Sequence, residues 1–408
     1  MVLPLEDIKV VEFATALFGG LTGQVLGDFG ADVIKVEPLE GDFFRLAKKR
    51  PAGRDSTRWL GVNRSKRSIV LNLKDPRGKD IALRLIKDAD VMMHNYRQSA
   101  IKRLGLDYPS VQAINQRIIY CALYGYGETG PYAHRASGDF WVQGMGGVVE
   151  SQGTRDGPPY LSGPPLADQA GPVIAAYGIM LALRVRDKHG IGQEVTTSLL
   201  DTVIFMQCSQ IADYLVDGRL VVKGGRGWAG AFPMGAYPTK DGDVIPFFSG
   251  DDQWLIFCGV LGLDHLAKDP QYDTELKREE RREELYRILD GAFRKKTRAE
   301  WQEAFRQAGL RCDPCLNYAE LFAHPQVEAN QIVRTMQHPV EGSLKLVDVP
   351  VRLKKTPGIP TRPPPVLAEH TAEVLGQLGY STGEIRRLHQ DGVVGLPEEA
   401  FPSEGGAK

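Results

Sequence analysis

The sequence predicts an α/β protein with a large, doubly wound parallel-sheet domain, Rossmann-like in plan, and a smaller α+β domain set into the chain. Three observations predict it. β-Branched runs alternate with helical segments up to residue 127; the composition turns sharply to Gly with aromatics around 223–235; and a hairpin followed by charged helices replaces the alternation after that.

Residues 8–13 (IKVVEF) form the first strand, a helical stretch runs from Gly19-Gly20 to Gly30, and VIKVEP is the second strand. That is one strand–helix–strand unit of about 30 residues. SIVLNL (68–73), a helix over 75–88, VMMHNY (91–96), another helix and RIIYCALYGYG (117–127) continue the pattern, which requires a sheet covered on both faces. The first turn holds a Gly pair and not GxGxxG, which argues against a nicotinamide dinucleotide site. Residues 131–165 are rich in Gly, Ser and Pro and read as a long functional loop. A helix from about Gln169 follows, with Val173, Ala176, Tyr177, Met180, Leu181 and Arg184 in register and Asp168 as N-cap; a second covers about 197–214. AYPTKDGDVIPFF is a hairpin turning at Asp241-Gly242. The charge run at 277–284 reads as a solvated helix face, 350–365 as a Pro-rich extended connector, and 370–378 and 382–389 as the last helices, the first ended by Gly379. The divisions are 1–214 for the first part of the large domain, 215–235 for a linker and glycine-rich loop, 236–325 for the small domain, 326–395 for the return to the large domain, and 396–408 for a disordered tail.

With 408 residues and 42% apolar content the chain can bury a large core. Its 50 basic and 51 acidic residues form no block of one sign, so nothing points to nucleic acid or to a membrane surface. The apolar stretch at 170–183 is too short to span a bilayer and reads as a buried helix. The N-terminus lacks a basic-then-apolar signal, and five scattered cysteines suit a reducing compartment; the expectation is a cytoplasmic protein. Cys312 and Cys315 form a CxxC without a second pair or a nearby histidine, so they read as two loop thiols and no metal is expected. His94 and His134 show no ligand spacing and read as packing or surface residues.

Asp168 is the sharpest candidate for chemistry. A carboxylate at a helix N-cap faces unpaired backbone N–H groups and the positive end of the helix dipole, a setting that keeps it ionised. An ionised carboxylate can attack a thioester, giving an acyl anhydride whose oxyanion similar N–H donors can stabilise. Aspartate is also a favoured N-cap for stability alone, and position leaves both readings open.

The motifs LGDFGADVIKVEPLEGDFFR, NRSKRSIVLNLKDPRG, DVMMHNYRQSAIKRLGLDY, GYGETGPY, SGDFWVQGMGG, PPLADQAG and GIGQEVTTSLLD occur in that order along nearly the whole chain. Together they resemble the class III CoA-transferase family, also called the CaiB/BaiF family. The resemblance implies an enzyme (EC 2.8.3.-) that moves coenzyme A from an acyl-CoA, with succinyl-CoA a plausible donor, to a carboxylic acid. The aspartate matching Asp168 would be the nucleophile, passing through mixed anhydrides and an aspartyl-CoA thioester. Coenzyme A thioester is then a substrate, and no tightly bound cofactor is implied.

The resemblance assigns CoA contacts to Pro38, Leu71, Lys74, Asn95, Tyr96 and Arg103, where Lys74 and Arg103 are also ordinary exposed cations. Relatives with arginine in place of Pro38 have a contact that this chain lacks. Where some oxalate-using relatives carry glutamine, this chain has Leu17, which cannot donate a hydrogen bond, so backbone N–H of Phe18 or Gly19 would serve the oxyanion. Gly138 stands where the racemase branch has a histidine base. Asp139 could orient a loop or a substrate, or cap an Asx turn. Gly224–Trp228 matches a mobile glycine loop, and Arg226, Gly227 and Trp228 could touch an acyl group or serve a hinge. The family resemblance further implies a ring-shaped chain in an interlocked homodimer. An acyl-CoA racemase and a non-catalytic acyl-CoA-binding subunit of a hetero-oligomer are the alternatives.

Overall fold

The computed structural model describes residues 2–47, 54–154, 156–227 and 232–397. The chain divides into two compact units, the first made of 1–146, 163–206 and 331–408 and the second of 147–162 and 207–330.

In chain order the first unit contains β1 (Lys9–Glu12), α1 (Ala16–Asp28), β2 (Asp32–Glu37), α2 (Thr57–Gly61), β3 (Lys66–Leu71), α3 (Pro76–Lys87), β4 (Val91–His94), α4 (Gln98–Leu104), α5 (Tyr108–Ile114), β5 (Ile119–Tyr124), α6 (Asp139–Met145), α7 (Leu166–His189), β6 (Gln193–Ser198) and α8 (Leu199–Met206). The second unit holds α9 (Cys208–Asp217), β7 (Tyr237–Pro238), β8 (Asp243–Phe247), α10 (Asp251–Leu261), α11 (Asp264–Ala267), α12 (Glu275–Glu280), α13 (Arg282–Phe293), α14 (Arg298–Gln307), β9 (Arg311–Pro314), α15 (Tyr318–Ala323) and α16 (Pro325–Ala329). The chain then returns to the first unit with β10 (Val333–His338), β11 (Gly342–Val347), α17 (Thr371–Gln377), α18 (Thr382–Gln390) and β12 (Val394–Gly395).

The main sheet has seven strands in the order β12-β3-β2-β1-β4-β5-β6. Every neighbouring pair is parallel except β12 with β3. The six parallel strands follow the doubly wound order, and the winding reverses between β1 and β4. In such sheets the crevice beyond the carboxyl ends at that reversal is where ligands bind. β3 and β4 are buried throughout, as a sheet covered on both faces requires.

α1 can lie hard against the sheet because its inward residues are glycines. A Cβ on Gly27 would fall 2.4 Å from the Ser65 carbonyl oxygen. The returning segment completes the sheet edge: Thr371 Oγ1 accepts from Val70 N–H, His370 Nδ1 accepts from Ser68 N–H, and β12 pairs with β3. Asp348 is tied by Arg334 and Arg64, and Arg64 grips Asp28 at 2.7 Å.

In the second unit β7, β8 and β9 form an antiparallel sheet whose first turn is at Asp241-Gly242, with Gly242 at φ 138°. Helices cover it with an aromatic core of Trp254, Phe257, Phe293, Trp301 and Phe305. Cys312 lies buried on β9, so the CxxC starts on a strand and not in a loop; both thiols are free, and no cluster of three or more metal-ligating side chains occurs among the described residues.

Two boundaries differ from the expectation. The helix expected over 197–214 is strand to Ser198 and then two helices broken at Gln207, and the second unit starts there. Residues 147–162 also belong to the second unit, because Gly225 N–H bonds the Gly153 carbonyl and Lys223 Nζ bonds that of Gly157. α7, at 24 residues, is long and apolar enough to cross a membrane; Gly171, Ala175, Ile179 and Ala182 are buried within its unit, as in a core helix.

Candidate active site

The turn between β1 and α1 stands at the reversal of the sheet, and side chains from two other strand ends hold it. Asn95, just after β4, accepts from Thr15 N–H at 3.0 Å and donates to the Thr15 carbonyl at 2.8 Å. Asp42, after β2, accepts from Ala16 N–H at 3.1 Å and from Phe44 N–H at 2.9 Å. Ala16 sits at φ 59°, a left-handed conformation that this clamp sustains. The next amides, Leu17 N–H and Phe18 N–H, have no partner among the described residues, as expected in the first turn of a helix. The Leu17 side chain is partly buried against the cluster of Phe44, Trp59, Leu60 and Val62 and has no donor to offer, so any hydrogen bond from Leu17 to a ligand comes from its backbone.

Phe18 is buried, and its ring lies against Gly171 of α7, where a Cβ would come within 2.9 Å of the ring. Gly171 follows Asp168 by three residues, on the same helix face. The N-terminal portions of α1 and α7 are thus packed together around the Phe18 ring.

Asp168 is not an N-cap. α7 begins at Leu166, with Pro165 before it, and Asp168 lies inside the first turn. The cap is supplied from 28 residues upstream. Asp139, buried at the start of α6, accepts from Ala167 N–H at 2.7 Å and from Asp168 N–H at 3.1 Å through Oδ1. Its Oδ2 accepts from the Gln143 amide. Asp139 therefore caps another helix and not a turn of its own.

The expectation that the helix end keeps Asp168 readily ionised is corrected for the same reason. The N–H groups that would stabilise it are occupied, and burial, helped by the Asp139 charge, pushes its pKa up to about 6. Its carboxylate is half-buried, with neither a hydrogen bond nor an ion pair among the described residues. Pro172 removes the N–H that would have bonded the Asp168 carbonyl.

The other positions assigned from the sequence lie mostly on the carboxyl edge of the sheet. Pro38 is exposed directly after β2, and Leu71 ends β3 with its side chain in the main core. Lys74 and Arg103 are exposed and have no ion-pair partner among the described residues. Asn95 is present at the reversal, but its side chain is spent on Thr15. Tyr96 packs on the main core, and burial raises its pKa. Gly138 precedes α6, and a Cβ there would press to 3.2 Å from the Trp141 ring.

Gly227 belongs to the second unit, bridged to Gly235, and Trp228 lies outside the described residues. Arg226 is committed within that unit: it pairs with Asp290 at 2.6 Å and stacks on Tyr286 at 4.1 Å. His94 is buried, with Nδ1 accepting from Tyr96 N–H and Nε2 2.9 Å from the Tyr120 hydroxyl. Tyr120 in turn donates to the Leu106 carbonyl, so a neutral imidazole satisfies the chain, and burial lowers its pKa to about 4. His134 is exposed.

The model of CoA-transferase family III matches residues 5–371. The chain belongs to that family.

As a class III CoA-transferase it has relatives of nearly its own length. It is 34% identical over 393 residues to the succinyl-CoA:glutarate CoA-transferase of Mus musculus, covering 96% of this chain and 90% of that one. It is 34% identical to the succinate–glutarate CoA-transferase of Agrobacterium fabrum, covering 92% and 96%. Among solved structures, a CaiB/BaiF family protein from Brucella suis matches with a TM-score of 0.85 at 32% identity, over 93% of this chain and all of that one.

Of the side chains that build the site, sequence reading missed Asp42, Glu12 and Lys35. A signal existed for the last two: an acid and a base interrupt otherwise apolar strands, and the register places Glu12 beside Lys35. Asp42 carried no such signal, because its partner is a backbone amide 26 residues away.

Proposed function

We propose that this transferase moves CoA through Asp168 by two anhydrides. The Asp168 carboxylate attacks the donor thioester carbonyl, CoA thiolate leaves, and an acyl-aspartyl anhydride forms. The thiolate then attacks the aspartyl carbonyl, releasing the donor acid and leaving an aspartyl-CoA thioester. The acceptor carboxylate attacks that thioester and expels the thiolate, giving the second anhydride. Attack of the thiolate on its acceptor carbonyl yields the new acyl-CoA and frees Asp168.

The observation that carries this reading is the carboxylate of Asp168, unpaired among the described residues, half-buried in the first turn of the helix that packs on α1, with its pKa raised to about 6. Such a group is mostly ionised at neutral pH and more basic than an ordinary aspartate. Perturbed carboxylates of this kind concentrate at active sites. Leu17 N–H and Phe18 N–H are the unused donors for the oxyanions. CoA would lie along the carboxyl edge of the sheet, with Lys74 and Arg103 free to meet its phosphates. The names of the mouse and Agrobacterium relatives favour succinyl-CoA as donor and a dicarboxylate longer than oxalate as acceptor. Leu17 fits that preference, since it offers oxalate no side-chain donor.

The test is to incubate the protein with a panel of acyl-CoAs that includes succinyl-CoA, quench with hydroxylamine, and map the hydroxamate by peptide mass spectrometry. The adduct is expected on Asp168 and nowhere else. An unmodified Asp168 with every donor, alongside measurable CoA binding, would overturn the covalent route.

We further propose an interlocked homodimer of ring-shaped chains. The support is the exposed face of α7, where Val173, Tyr177, Met180 and Leu181 recur at helical spacing and need a cover. Light scattering should give twice the 45.0 kDa chain mass at micromolar concentration, and a stable monomer would count against the assembly.

A further inference from the structure

We propose that Asp139 is the positioning residue of the nucleophile: by bonding the second and third amides of α7 it fixes the Asp168 backbone and holds a second negative charge beside the reacting carboxylate. The inference rests on the transferase reading above and extends it to a residue that reacts with nothing itself.

Two consequences of the geometry carry the argument. First, the amides at a helix start normally draw charge from any carboxylate in the first turn. Here Ala167 N–H and Asp168 N–H both point to Asp139 Oδ1, and Gln169 N–H is returned to the Pro165 carbonyl. The Asp168 carboxylate is left with its charge unquenched, which makes it a better nucleophile. Secondly, those amides are then unavailable to a tetrahedral oxyanion, which leaves Leu17 N–H and Phe18 N–H on the neighbouring turn. Nucleophile and oxyanion donors are divided between two helix ends, and Asp139 enforces the division.

Asp139 is suited to the task because it is buried, starts α6, and has its second oxygen held by Gln143. Other charged groups near α7 are engaged elsewhere. Asp28 of α1 is taken by Arg64 and Ser65, and Asp201 of α8 by Ser198. Glu194 on β6 and Tyr120, Cys121 and Tyr124 on β5 also belong to elements packed against α7, and it is the Asp139 charge that adds to burial in raising the Asp168 pKa.

The experiment compares the parent with Asp139→Asn and Asp139→Ala, using succinyl-CoA and hydroxylamine to follow adduct formation on Asp168 from pH 4.5 to 8.5. Asparagine keeps the Oδ1 acceptor and removes the charge. Its adduct midpoint should fall from about 6 by half a unit or more, with the rate at pH 8 down about 2–3-fold. Alanine removes the cap as well, and trapping should fall about 100-fold at every pH, so that asparagine is a partial rescue. An Asn variant with the parent's midpoint and rate overturns the proposal while the adduct on Asp168 upholds the covalent route. A parent that forms no adduct removes the covalent route and the proposal with it. Should the Ala variant fail to fold, the Asn midpoint alone decides.

Discussion

Asp168→Asn should lower turnover by about 10³-fold or more while leaving a protein that folds and melts no lower than the parent at pH 7.5. The loss follows from chemistry: an amide of the same shape cannot form the anhydride, and the remaining binding and oxyanion groups accelerate nothing without it. The gain in stability follows from the raised pKa. A carboxyl that titrates near 6 when folded and near 3.8 when unfolded holds its proton more tightly in the folded state. Stability is therefore greatest below the unfolded value and is lost as pH rises toward 6, so that the ionised Asp168 is a net cost at neutral pH. A shift of about 2 units is roughly 3 kcal/mol at full burial, and screening of a half-buried group trims this to about 1–2 kcal/mol. The variant should melt about 2–4 °C above the parent at pH 7.5, and the difference should shrink at pH 4.5. In the parent, kcat/KM should climb through pH 6 and level off above it. A variant that melts lower at pH 7.5 would mean that Asp168 is held by contacts its unpaired carboxylate does not display.

That stability cost also marks what could be read from the sequence. The βα alternation was legible because it is local: β-branched runs and helical spacing are written in consecutive residues, as in KRSIVL and the helix over Pro76–Lys87. Strand order was not, because the placement of β4 beside β1 depends on contacts eighty residues apart, Thr15 with Asn95 among them. β12 is two residues long and carries no pattern at all. Asp168 was found by resemblance, and its helix start was set three residues late because Leu166 and Ala167 follow Pro164 and Pro165 and read as loop. The upward shift of its pKa went unread for a stronger reason. The cap that occupies the amides comes from Asp139, and no local rule connects two aspartates that share a helix end across a long loop. Asn95 teaches a related lesson, since resemblance assigned it to the ligand but no sequence signal revealed that its side chain holds the Thr15 backbone.

Glu12→Gln should destabilise the protein by about 3–5 kcal/mol, the largest loss expected from any single polar substitution in the first unit. Glu12 is fully buried between two fully buried lysines, with Lys35 Nζ 2.9 Å from Oε1 and Lys66 Nζ 2.9 Å from Oε2. Burial works to lower the Lys35 pKa, but the Glu12, Asp42 and Glu37 charges outweigh it and raise it. For Lys66 burial prevails over Glu12 and brings the pKa down to about 8, which leaves it the weaker partner. Glutamine keeps one acceptor, removes the compensating charge and turns a donor toward an ammonium group. A second substitution, Lys66→Met, should recover part of the loss, because it removes one of the stranded charges, and the cycle measured by urea unfolding should show a coupling of about 2 kcal/mol or more. The cluster also bears on catalysis. Lys35 Nζ donates to the Ala14 carbonyl at 2.6 Å and Lys66 Nζ to that of Gly20 at 2.6 Å, so the same two lysines hold the backbone on either side of the turn that presents Leu17 and Phe18. If Glu12→Gln unfolds as late as the parent, the lysines are held by those carbonyls, Asn63 and Asp42 without Glu12. If it is destabilised and traps acyl groups on Asp168 more slowly at equal folded concentration, the buried charges are what keep the oxyanion turn rigid.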